Sequence, residues 1–287
     1  MRVCIRVFGI VQGVGFRPTV KRHADACDIA GSVSNKGPYV EIFAEGSEEC
    51  VHSFIKQIQE EPPKRAVILK LDVENVESGE DGIHKVESET DSKEKFQIIE
   101  SEKEEGEIFV SPDIAICPEC KKELYDKNDR RYLHPFINCT CCGPRLTILD
   151  SMPYDRVRTS MGEFPMCEKC EYEYTHAETR RFDAQPVCCN DCGPEVYLLG
   201  RKERGADAIR YTRKVISEGG IVAVKGIGGF HLCCDAAKEE TVARLRQRKK
   251  RPMKPFAVMM KDLDVVRREC ETEPHLEEIL DGHQKPI

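Results

Sequence analysis

The sequence predicts an α+β chain of several domains, in which a small cysteine-organised module lies between two segments that combine helices and strands. The first segment follows the order βαββαβ, the middle one carries four C-x-x-C pairs, and the last one returns to alternating helices and strands. A chain of 287 residues has the length of two or three domains. We therefore predict domains at residues 1–101, 107–196 and 202–287.

The charge balance argues against a protein that binds nucleic acid through overall basicity. The chain has 44 Lys and Arg against 51 Asp and Glu, a net charge of −7. Residues 77–107 are acidic and predict a solvated linker, whereas residues 244–254 are dense in Lys and Arg. The first residues lack the apolar run of a signal peptide, and no stretch approaches the roughly 20 apolar residues that span a bilayer. We expect a cytoplasmic chain with no membrane partner.

Hydrophobic periodicity predicts the elements of the first domain. The predicted elements are a strand at Arg2–Gly9, a helix from Pro18 to about Ala30, strands at Ser32–Lys36 and Tyr39–Ala44, a helix at Ser47–Glu60, and strands at Val67–Val76 and Phe96–Glu100. This order is the ferredoxin-like arrangement.

A glycine-rich loop joins the first strand to the first helix and has the features of an anion site. Gly13 and Gly15 let consecutive backbone N–H groups converge, and the helix dipole adds positive potential. Arg17 supplies a planar guanidinium for two phosphate oxygens. We predict that this loop binds a phosphoryl group, with an ordinary connecting turn as the alternative. The loop residues are Gln12, Gly13, Val14, Gly15 and Phe16.

Residues 11–17, Val-Gln-Gly-Val-Gly-Phe-Arg, closely resemble the signature of the acylphosphatases, and residues 31–35, Gly-Ser-Val-Ser-Asn, resemble that family's second motif. The resemblance spans about residues 1–101. It implies that Arg17 and the loop amides hold the phosphoryl group of an acyl phosphate and that Asn35 orients the attacking water. The segment after Asn35, Lys36-Gly37-Pro38, is shorter than in stand-alone enzymes, which bears on the choice of substrate.

Eight cysteines predict two metal sites. They form four C-x-x-C pairs, and the second two pairs repeat the first two at an offset of 50 residues, together with Arg-Arg-aromatic and Cys-Gly-Pro sequences. Four thiolates close a tetrahedral structural zinc site and leave no open coordination position for catalysis. The predicted zinc ligands are Cys117, Cys120, Cys139, Cys142, Cys167, Cys170, Cys189 and Cys192.

The spacing leaves the pairing of the four C-x-x-C knuckles open. Pairing within each repeat is the simpler arrangement, and pairing across the repeats would use the same eight ligands. Scattered free or disulfide-bonded cysteines are the competing interpretation, but C-x-x-C spacing in a chain with no export signal favours thiolate–zinc chemistry. We expect the other cysteines, among them Cys141, Cys188, Cys233 and Cys234, to behave as small core residues.

The last segment combines helices, a strand and a basic loop. The predicted elements are a helix at Ala206–Glu218, a strand at Ile221–Lys225, a sharp turn at Gly226–His231, a helix at Thr241–Arg248 and a strand that follows the basic loop at Phe256–Met259. A cationic cluster at the start of a strand suits a triphosphate or a similar anion. A solvated basic face is the alternative.

Residues 249–252, Lys-Lys-Arg-Pro, match the K-x-R-P element of the YrdC/Sua5 family, whose members form carbamoyl-type adenylates from ATP. Residues 225–235 resemble more closely the version in the HypF family of hydrogenase-maturation carbamoyltransferases. The resemblance implies nucleotide contacts at Lys249 and Arg251, with Lys225 and Lys254 as further candidates. We expect an incomplete α/β YrdC-like domain, because the family's later Ser/Thr-rich motif is absent and the sequence stops inside a strand-like pattern.

All three segments, in this order, resemble the N-terminal part of the HypF family. The resemblance implies an enzyme that cleaves carbamoyl phosphate in the first domain and makes carbamoyl adenylate with ATP. It then carbamoylates the C-terminal cysteine of a HypE-like partner, towards the cyanide ligands of nickel–iron hydrogenase. The transfer domain is absent, so we expect a fragment or one half of a split gene that a second chain completes.

For the residues present, the prediction is an acyl phosphate hydrolase with two structural zinc ions. A zinc-containing RNA-binding module is one alternative, which the overall acidity and the lack of aromatic residues near the basic cluster disfavour. A non-catalytic scaffold is the other, and it predicts no phosphate release from any acyl phosphate.

Overall fold

The computed structural model describes residues 1–76, 95–102, 104–106, 109–226 and 229–282. The chain forms two compact units. The first unit contains Met1–Cys120 and Ile137–Gly193, and the second contains Lys121–Phe136 and Pro194–Ile287. Among the described residues, no helix has the length and the apolar character needed to cross a membrane.

The first unit begins with a five-stranded sheet. Its strands are β1 (Arg2–Ile10), β2 (Ala30–Asn35), β3 (Tyr39–Glu45), β4 (Val67–Asn75) and β5 (Phe96–Ile98), and its helices are α1 (Phe16–Ala26) and α2 (Glu48–Glu60). The strand order is β4-β1-β3-β2-β5, with β2 and β5 parallel and the other pairs antiparallel. The βαββαβ prediction is confirmed.

Alternating apolar residues of the sheet pack against apolar stripes of the two helices. Val3, Ile5 and Val7 of β1 are buried, and so are Phe54 of α2 and Phe96 of β5, whose rings meet edge to face at 6.1 Å between centroids. Large side chains that bury this much apolar surface each stabilise the fold by about 1.5–3 kcal/mol. This core holds β1 and α1, and therefore the loop between them, in a fixed position.

The predicted end of the first helix near Ala30 is wrong. Helix α1 ends at Ala26, and Asp28 adopts a left-handed conformation with φ of 55°. A left-handed residue cannot continue a right-handed helix, so the chain turns and enters β2 at Ala30. Asn35 consequently stands at the end of β2.

The repeat in the sequence is also a repeat of backbone structure. Each half has a short helix, α3 (Pro118–Tyr125) or α4 (Glu168–Thr175). After the helix, the N–H of Leu133 donates to Leu124 and the N–H of Asp183 donates to Tyr174. Leu133 and Asp183 are equivalent at the offset of 50, and both are left-handed, with φ of 54° and 56°. Three 3₁₀ turns lie between the halves, at Leu146–Ile148, Arg156–Arg158 and Ser160–Glu163.

In its described residues the second unit contains a hairpin and four further helices. The elements are α5 (Gly205–Ser217), β6 (Val222–Lys225), β7 (Phe230–Cys233), α6 (Glu239–Lys249), α7 (Leu263–Glu269) and α8 (Pro274–Asp281). Strands β6 and β7 pair antiparallel, from Val222 opposite Cys233 to Lys225 opposite Phe230. The predicted turn at 226–231 is therefore shorter, since Phe230 already belongs to β7.

The predicted strand at Phe256–Met259 is wrong, because these residues form no strand in the structure. Val258 is 55% exposed and Met259 is 99% exposed. A strand needs a neighbour to satisfy its backbone hydrogen bonds, and in the described part of this unit β6 pairs only with β7. The strand expected at the end of the sequence, residues 227–228 of the turn and most of the acidic linker fall outside the described residues.

Candidate active site and metal centres

The glycine-rich loop turns from β1 into α1 through two left-handed glycines. Gly13 has φ of 71°, and Gly15, the residue that precedes α1, has φ of 78°. L-residues rarely adopt these conformations, which explains why glycine stands at both positions. The side chains of Val11, Val14 and Phe16 are buried in the core and fix the loop from below. The loop backbone is therefore held with its N–H groups at a helix N-terminus, where an anion is stabilised.

Arg17 and Asn35 line one pocket together with Gln12, Gly13 and Gly15. Arg17 lies in the first turn of α1, and its side chain is almost fully buried. The cavity volume is about 20 Å³. This is room for about one water molecule and is less than a phosphoryl group needs.

Asn35 has one satisfied and one unsatisfied side-chain group. Its Nδ2 donates to the carbonyl of Tyr154 at 3.5 Å. Its Oδ1 is buried and accepts no hydrogen bond from the described residues. A buried acceptor without a partner costs about 1–3 kcal/mol, so such an atom suggests a ligand or a water molecule as its missing partner.

Gln12 fastens the loop on two sides. Its Nε2 donates to the carbonyl of Gly37 at 2.8 Å, on the turn that follows Asn35. Its Oε1 accepts from the backbone N–H of Tyr154 at 3.2 Å. The Gln12 side chain therefore links the loop to the turn after Asn35 and to the backbone at Tyr154.

Two carboxylates from the cysteine-rich part of the first unit bind Arg17. Its Nη1 donates to Asp155 Oδ1 at 3.0 Å and to Ser101 Oγ at 3.2 Å. Its Nη2 donates to Asp183 Oδ1 at 3.3 Å, and its Nε lies 3.0 Å from Asp183 Oδ2. The paired contacts to Asp183 have the fork-to-fork geometry of strong Arg–carboxylate pairs.

Burial and charge act in opposite directions on this cluster. Burial lowers the pKa of Arg17, but Asp183 and Asp155 outweigh it and raise that pKa above its ordinary value. Burial raises the pKa of Asp183, against the opposing effect of Arg17. Arg17 is therefore permanently charged, whereas the Asp183 carboxylate is held at a desolvation cost.

Arg145 supports the loop from the other side. Its guanidinium is fully buried, and its Nε donates to the carbonyl of Gly13. The remaining four N–H groups donate to backbone carbonyls of the segment that carries the second knuckle, namely those of Cys139, Thr140, Cys142 and Pro144. All five donors of Arg145 are used. It therefore fixes the loop, and no N–H remains for a substrate.

The eight predicted ligands form two groups, and each group lies within one repeat. The groups are Cys117, Cys120, Cys139 and Cys142, and Cys167, Cys170, Cys189 and Cys192. In each group all four sulfurs lie within 4.8 Å of one another. The structure thus favours the pairing within repeats over the pairing across them.

The distances between sulfurs fit zinc. A tetrahedral site with Zn–S bonds of about 2.3 Å places its sulfurs about 3.8 Å apart. The separations are 3.8 Å for Cys117–Cys139 and 3.7 Å for Cys139–Cys142. In the second group, Cys167–Cys189 and Cys189–Cys192 are each 3.8 Å apart. Both clusters fit a structural zinc ion.

Donors around the sulfurs stabilise negative charge. The backbone N–H of Cys141 points to Cys139 Sγ at 3.3 Å, and that of Asp191 points to Cys189 Sγ at 3.4 Å. Arg180 Nη1 lies 3.2 Å from Cys120 Sγ. Such contacts stabilise thiolates and orient them, as expected around a bound cation.

The predicted nucleotide residues lie in the second unit. Lys249 ends α6, and Arg251 and Lys254 follow on the next stretch, whose carbonyls at Arg251 and Lys254 accept from Arg246 Nη1 at 3.3 and 3.0 Å. Lys225 ends β6, with its ammonium 5.7 Å from the Phe230 ring. The structure thus groups Lys249, Arg251 and Lys254 on one stretch and places Lys225 on the hairpin.

Sequence reasoning missed Asp155, Asp183 and Arg145. The repeat contained a signal for two of them, because Asp183 replaces Leu133 and Glu195 replaces Arg145 at equivalent positions. A change of residue type at one position of an otherwise retained repeat indicates that the side chain at this position has a different partner in each half. Asp155 lies between the halves and has no equivalent in the repeat.

Comparisons with known proteins match three parts of the chain to family models. Residues 3–97 match the family model described as acylphosphatase, residues 116–149 and 166–199 match the HypF finger, and residues 214–286 match the model described as telomere recombination, of the Sua5, YciO and YrdC proteins. The residues Arg145, Asp155 and Asp183 lie outside the acylphosphatase match.

Curated relatives include HypF proteins and acylphosphatases. A probable carbamoyltransferase HypF from Methanocaldococcus jannaschii is 52% identical over 266 residues, which cover 91% of this chain and 33% of that protein. A carbamoyltransferase HypF2 from Cupriavidus necator is 46% identical over 268 residues, 92% of this chain and 32% of that protein. An acylphosphatase from Caldivirga maquilingensis is 45% identical over 83 residues, 28% of this chain and 86% of that protein.

Solved structures give the same family. A crystal structure of full-length HypF in a phosphate- and nucleotide-bound form matches with a TM-score of 0.86 and 45% identity, covering 98% of this chain and 36% of that one. HypF from T. kodakarensis matches with a TM-score of 0.85 and 42% identity, covering 100% and 35%. The chain spans about a third of the length of these relatives. We conclude that the chain belongs to the HypF family and that its first domain belongs to the acylphosphatases.

Proposed function

We propose that the first domain hydrolyses an acyl phosphate, with carbamoyl phosphate as its substrate. The observation that carries the proposal is the convergence of the glycine loop, Arg17 and the unsatisfied Asn35 Oδ1 on one pocket. A guanidinium and loop amides suit a phosphoryl group, and a buried amide oxygen suits a water molecule. The carbamoyltransferase names of the relatives favour a carbamoyl group as the acyl part.

The reaction needs no side-chain nucleophile. Arg17 and the loop N–H groups hold the phosphoryl oxygens, and Asn35 Oδ1 accepts a hydrogen bond from the attacking water. The water oxygen bonds to phosphorus while the bond from phosphorus to the acyl oxygen breaks, which yields carbamate and inorganic phosphate. Once the phosphoryl group is bound, the donors are in place, so they stabilise the charge that develops in the chemical step without further reorganisation.

Both cysteine clusters would hold zinc in a structural role. Four thiolates leave no open position on the ion, so bound zinc would supply folding energy and no Lewis-acid chemistry. The first cluster has a further consequence, because Arg145 links its backbone to the phosphate loop. Loss of that metal would therefore disturb the loop.

For the rest of the chain we propose the roles that HypF relatives suggest. Residues 1–101, 107–196 and 202–287 are separate domains, and the last of them binds ATP through Lys249 and Arg251, with Lys225 and Lys254 nearby in the nucleotide site. In that last domain an oxygen of the carbamate formed in the first domain would bond to the α-phosphorus of ATP, which gives carbamoyl adenylate and releases pyrophosphate. Transfer of the carbamoyl group to the C-terminal cysteine of a HypE-like protein would follow.

The test is phosphate release from carbamoyl phosphate by the full chain and its variants. We expect Arg17→Ala to lower the rate by about a hundredfold or more, since removal of one positioned donor typically has this effect. Asn35→Ala should lower the rate without abolishing phosphate binding. Arg22→Ala is the matched control, because Arg22 is an exposed arginine on the same helix. Equal rates for the chain and for Arg17→Ala would refute the proposal.

A further inference from the structure

The protein itself uses most of the donors of Arg17. Two N–H groups of Nη1 bind Asp155 and Ser101, and the Nε–Nη2 edge faces Asp183. A guanidinium has five N–H groups, so these contacts use four of them. A phosphoryl group needs two adjacent N–H groups for a bidentate contact. Arg17 can therefore bind phosphate in that way only if one of its present partners leaves.

The two carboxylates are anchored very differently. Asp183 binds two nitrogens of Arg17, and its Oδ1 also accepts from Gln185 Nε2 at 2.8 Å. Its backbone N–H is bonded to Tyr174, which fixes the left-handed turn. Release of the Asp183 carboxylate would break both contacts with Arg17 and the hydrogen bond from Gln185 at once.

Asp155 has a second cation to which it can remain bound. Its Oδ1 accepts from Arg17, whereas its Oδ2 accepts from Arg158 Nη1 at 3.0 Å. The Asp155 side chain is also the more exposed of the two, at 18% against 11% for Asp183. Asp155 can therefore give up Arg17 and stay paired with Arg158.

Charge favours this exchange. The two carboxylates offset the positive charge of Arg17 and oppose an incoming phosphate dianion, whereas Arg145 and Arg158 nearby attract it. Departure of Asp155 from Arg17 leaves that carboxylate paired with Arg158 alone and frees a donor on Nη1.

We propose that Asp155 is a displaceable ligand of Arg17, which the phosphoryl group replaces on Nη1, while Asp183 is a positioning residue that keeps the Nε–Nη2 edge. This inference rests on the proposed function of the loop as a phosphoryl site. The exchange makes Asp155 an internal competitor of phosphate. It weakens binding of the substrate and of the phosphate product alike, and so helps the product to leave.

The experiment is calorimetric titration of inorganic phosphate into the full chain and three variants. We expect Asp155→Asn to bind phosphate about tenfold more tightly, because the competing charge is gone and the amide holds Arg17 less strongly. Asp183→Asn should bind phosphate more weakly, because Arg17 loses its fixed edge. Asp150→Asn is the matched control, since Asp150 is an exposed carboxylate in the same stretch and its loss changes the net charge equally.

A kinetic readout separates competition from a general structural role. In Asp155→Asn the KM for carbamoyl phosphate should fall by the same factor as the phosphate Kd, and inhibition by phosphate should strengthen. Zinc content equal to that of the parent chain verifies that the variants are folded. Phosphate binding to Asp155→Asn that is equal to or weaker than binding to the parent chain overturns the inference and leaves the proposed function intact. Absence of phosphate binding to the parent chain and to every variant overturns the proposed function as well.

Discussion

The guanidinium of Arg145 donates from Nε to the carbonyl oxygen of Gly13, so a side chain held by the first cysteine cluster supports the phosphate loop. Its other donors end on four backbone carbonyls of that cluster's segment. The loop thus has two supports, the apolar core below it and a metal-binding segment beside it. Changes at the cluster should therefore affect phosphate chemistry.

Replacement of Arg145 tests this support. Arg145→Lys keeps the charge, but an ammonium has only three N–H donors and cannot bind all five backbone carbonyls that the planar guanidinium binds. Since a shift of about 1 Å in a positioned group can lower a rate by about a hundredfold, we expect phosphate release to fall by about tenfold to a hundredfold. Arg2→Lys, at an exposed arginine of β1 that pairs with Glu45, should leave the rate unchanged. An unchanged rate in Arg145→Lys would show that the loop does not need this contact.

Gly13 allows a test of the loop geometry with a well-matched control. A Cβ at Gly13 would lie 3.0 Å from Arg145 Cδ and 3.3 Å from Tyr154 Cε1, and Gly13 has φ of 71°. Gly200 has φ of 75° and nothing within 4 Å of such a Cβ. Both Gly→Ala changes therefore introduce similar backbone strain, of order 1 kcal/mol, and only the first adds crowding at the loop. Gly13→Ala should lose most phosphate release while Gly200→Ala retains it; similar rates in the two variants would contradict the expected crowding.

Metal content distinguishes the two cysteine clusters. The chain should bind about two zinc ions, and Cys120→Ser should bind about one, because a site with three thiolates holds the ion less tightly. Cys27→Ser is the control, since Cys27 lies outside both clusters and contacts Gln57 Oε1 at 3.5 Å. Elemental analysis after extensive dialysis measures the stoichiometry. Two tightly held ions in Cys120→Ser would exclude Cys120 as a ligand.

Loss of the first metal should also weaken phosphate binding, because Arg145 takes its position from the same segment. The five-stranded sheet should survive, since its apolar core contains no cluster cysteine. Circular dichroism of Cys120→Ser together with phosphate titration measures the two effects separately. Unchanged phosphate affinity in a variant that has lost one zinc ion would show that the loop and the cluster are independent.

Cys4 lies beside Glu41, which also pairs with Lys36, the residue that follows Asn35. Burial and the neighbouring Glu41 raise the pKa of Cys4 to about 11. At pH 8 only about one Cys4 in a thousand is then a thiolate, the form that reacts with iodoacetamide. Its alkylation should be slow at pH 8 and should speed up as the pH approaches 11. Peptide mass spectrometry measures the rate, with the exposed Cys270 as the internal reference.

Substitution of Glu41 gives the matching comparison. Glu41 accepts from Cys4 and also pairs with Lys36 at 3.3 Å. Glu41→Gln removes a negative charge beside the sulfur, which favours the thiolate and lowers the pKa of Cys4. Alkylation of Cys4 at pH 8 should therefore be faster in Glu41→Gln than in the parent chain. Equal rates would mean that access and not ionisation limits the reaction.

The sequence predicted the parts of the fold whose signals are local. Alternation gave the strands of the first domain, and the repeat gave both groups of cysteines. The predicted end of the first helix was wrong, because the left-handed conformation of Asp28 ends the helix, and a non-glycine residue in this conformation has no clear sequence signal. The strand predicted at 256–259 was wrong, because an apolar sequence forms a strand only where a neighbouring strand can pair with it.

The contacts that complete the phosphate pocket are far apart in the sequence. Arg17 meets Asp155 and Asp183, and Gly13 meets Arg145. No periodicity or spacing rule joins residues that are separated by more than a hundred positions. The family motif identified Arg17 and Asn35, but it ends before residue 100 and contains none of the three partners.

The common left-handed turn at Leu133 and Asp183 shows that the two halves of the cysteine-rich module share a backbone conformation, although their contacts differ. The two halves retain one backbone, but the first provides Arg145 and the second provides Asp183, at positions that do not correspond. The two halves thus contact different residues at the same loop, since Arg145 of the first binds Gly13 and Asp183 of the second binds Arg17. A gene that encoded the first half twice would keep both metal clusters and lose the carboxylate that holds Arg17, so the copies are no longer interchangeable.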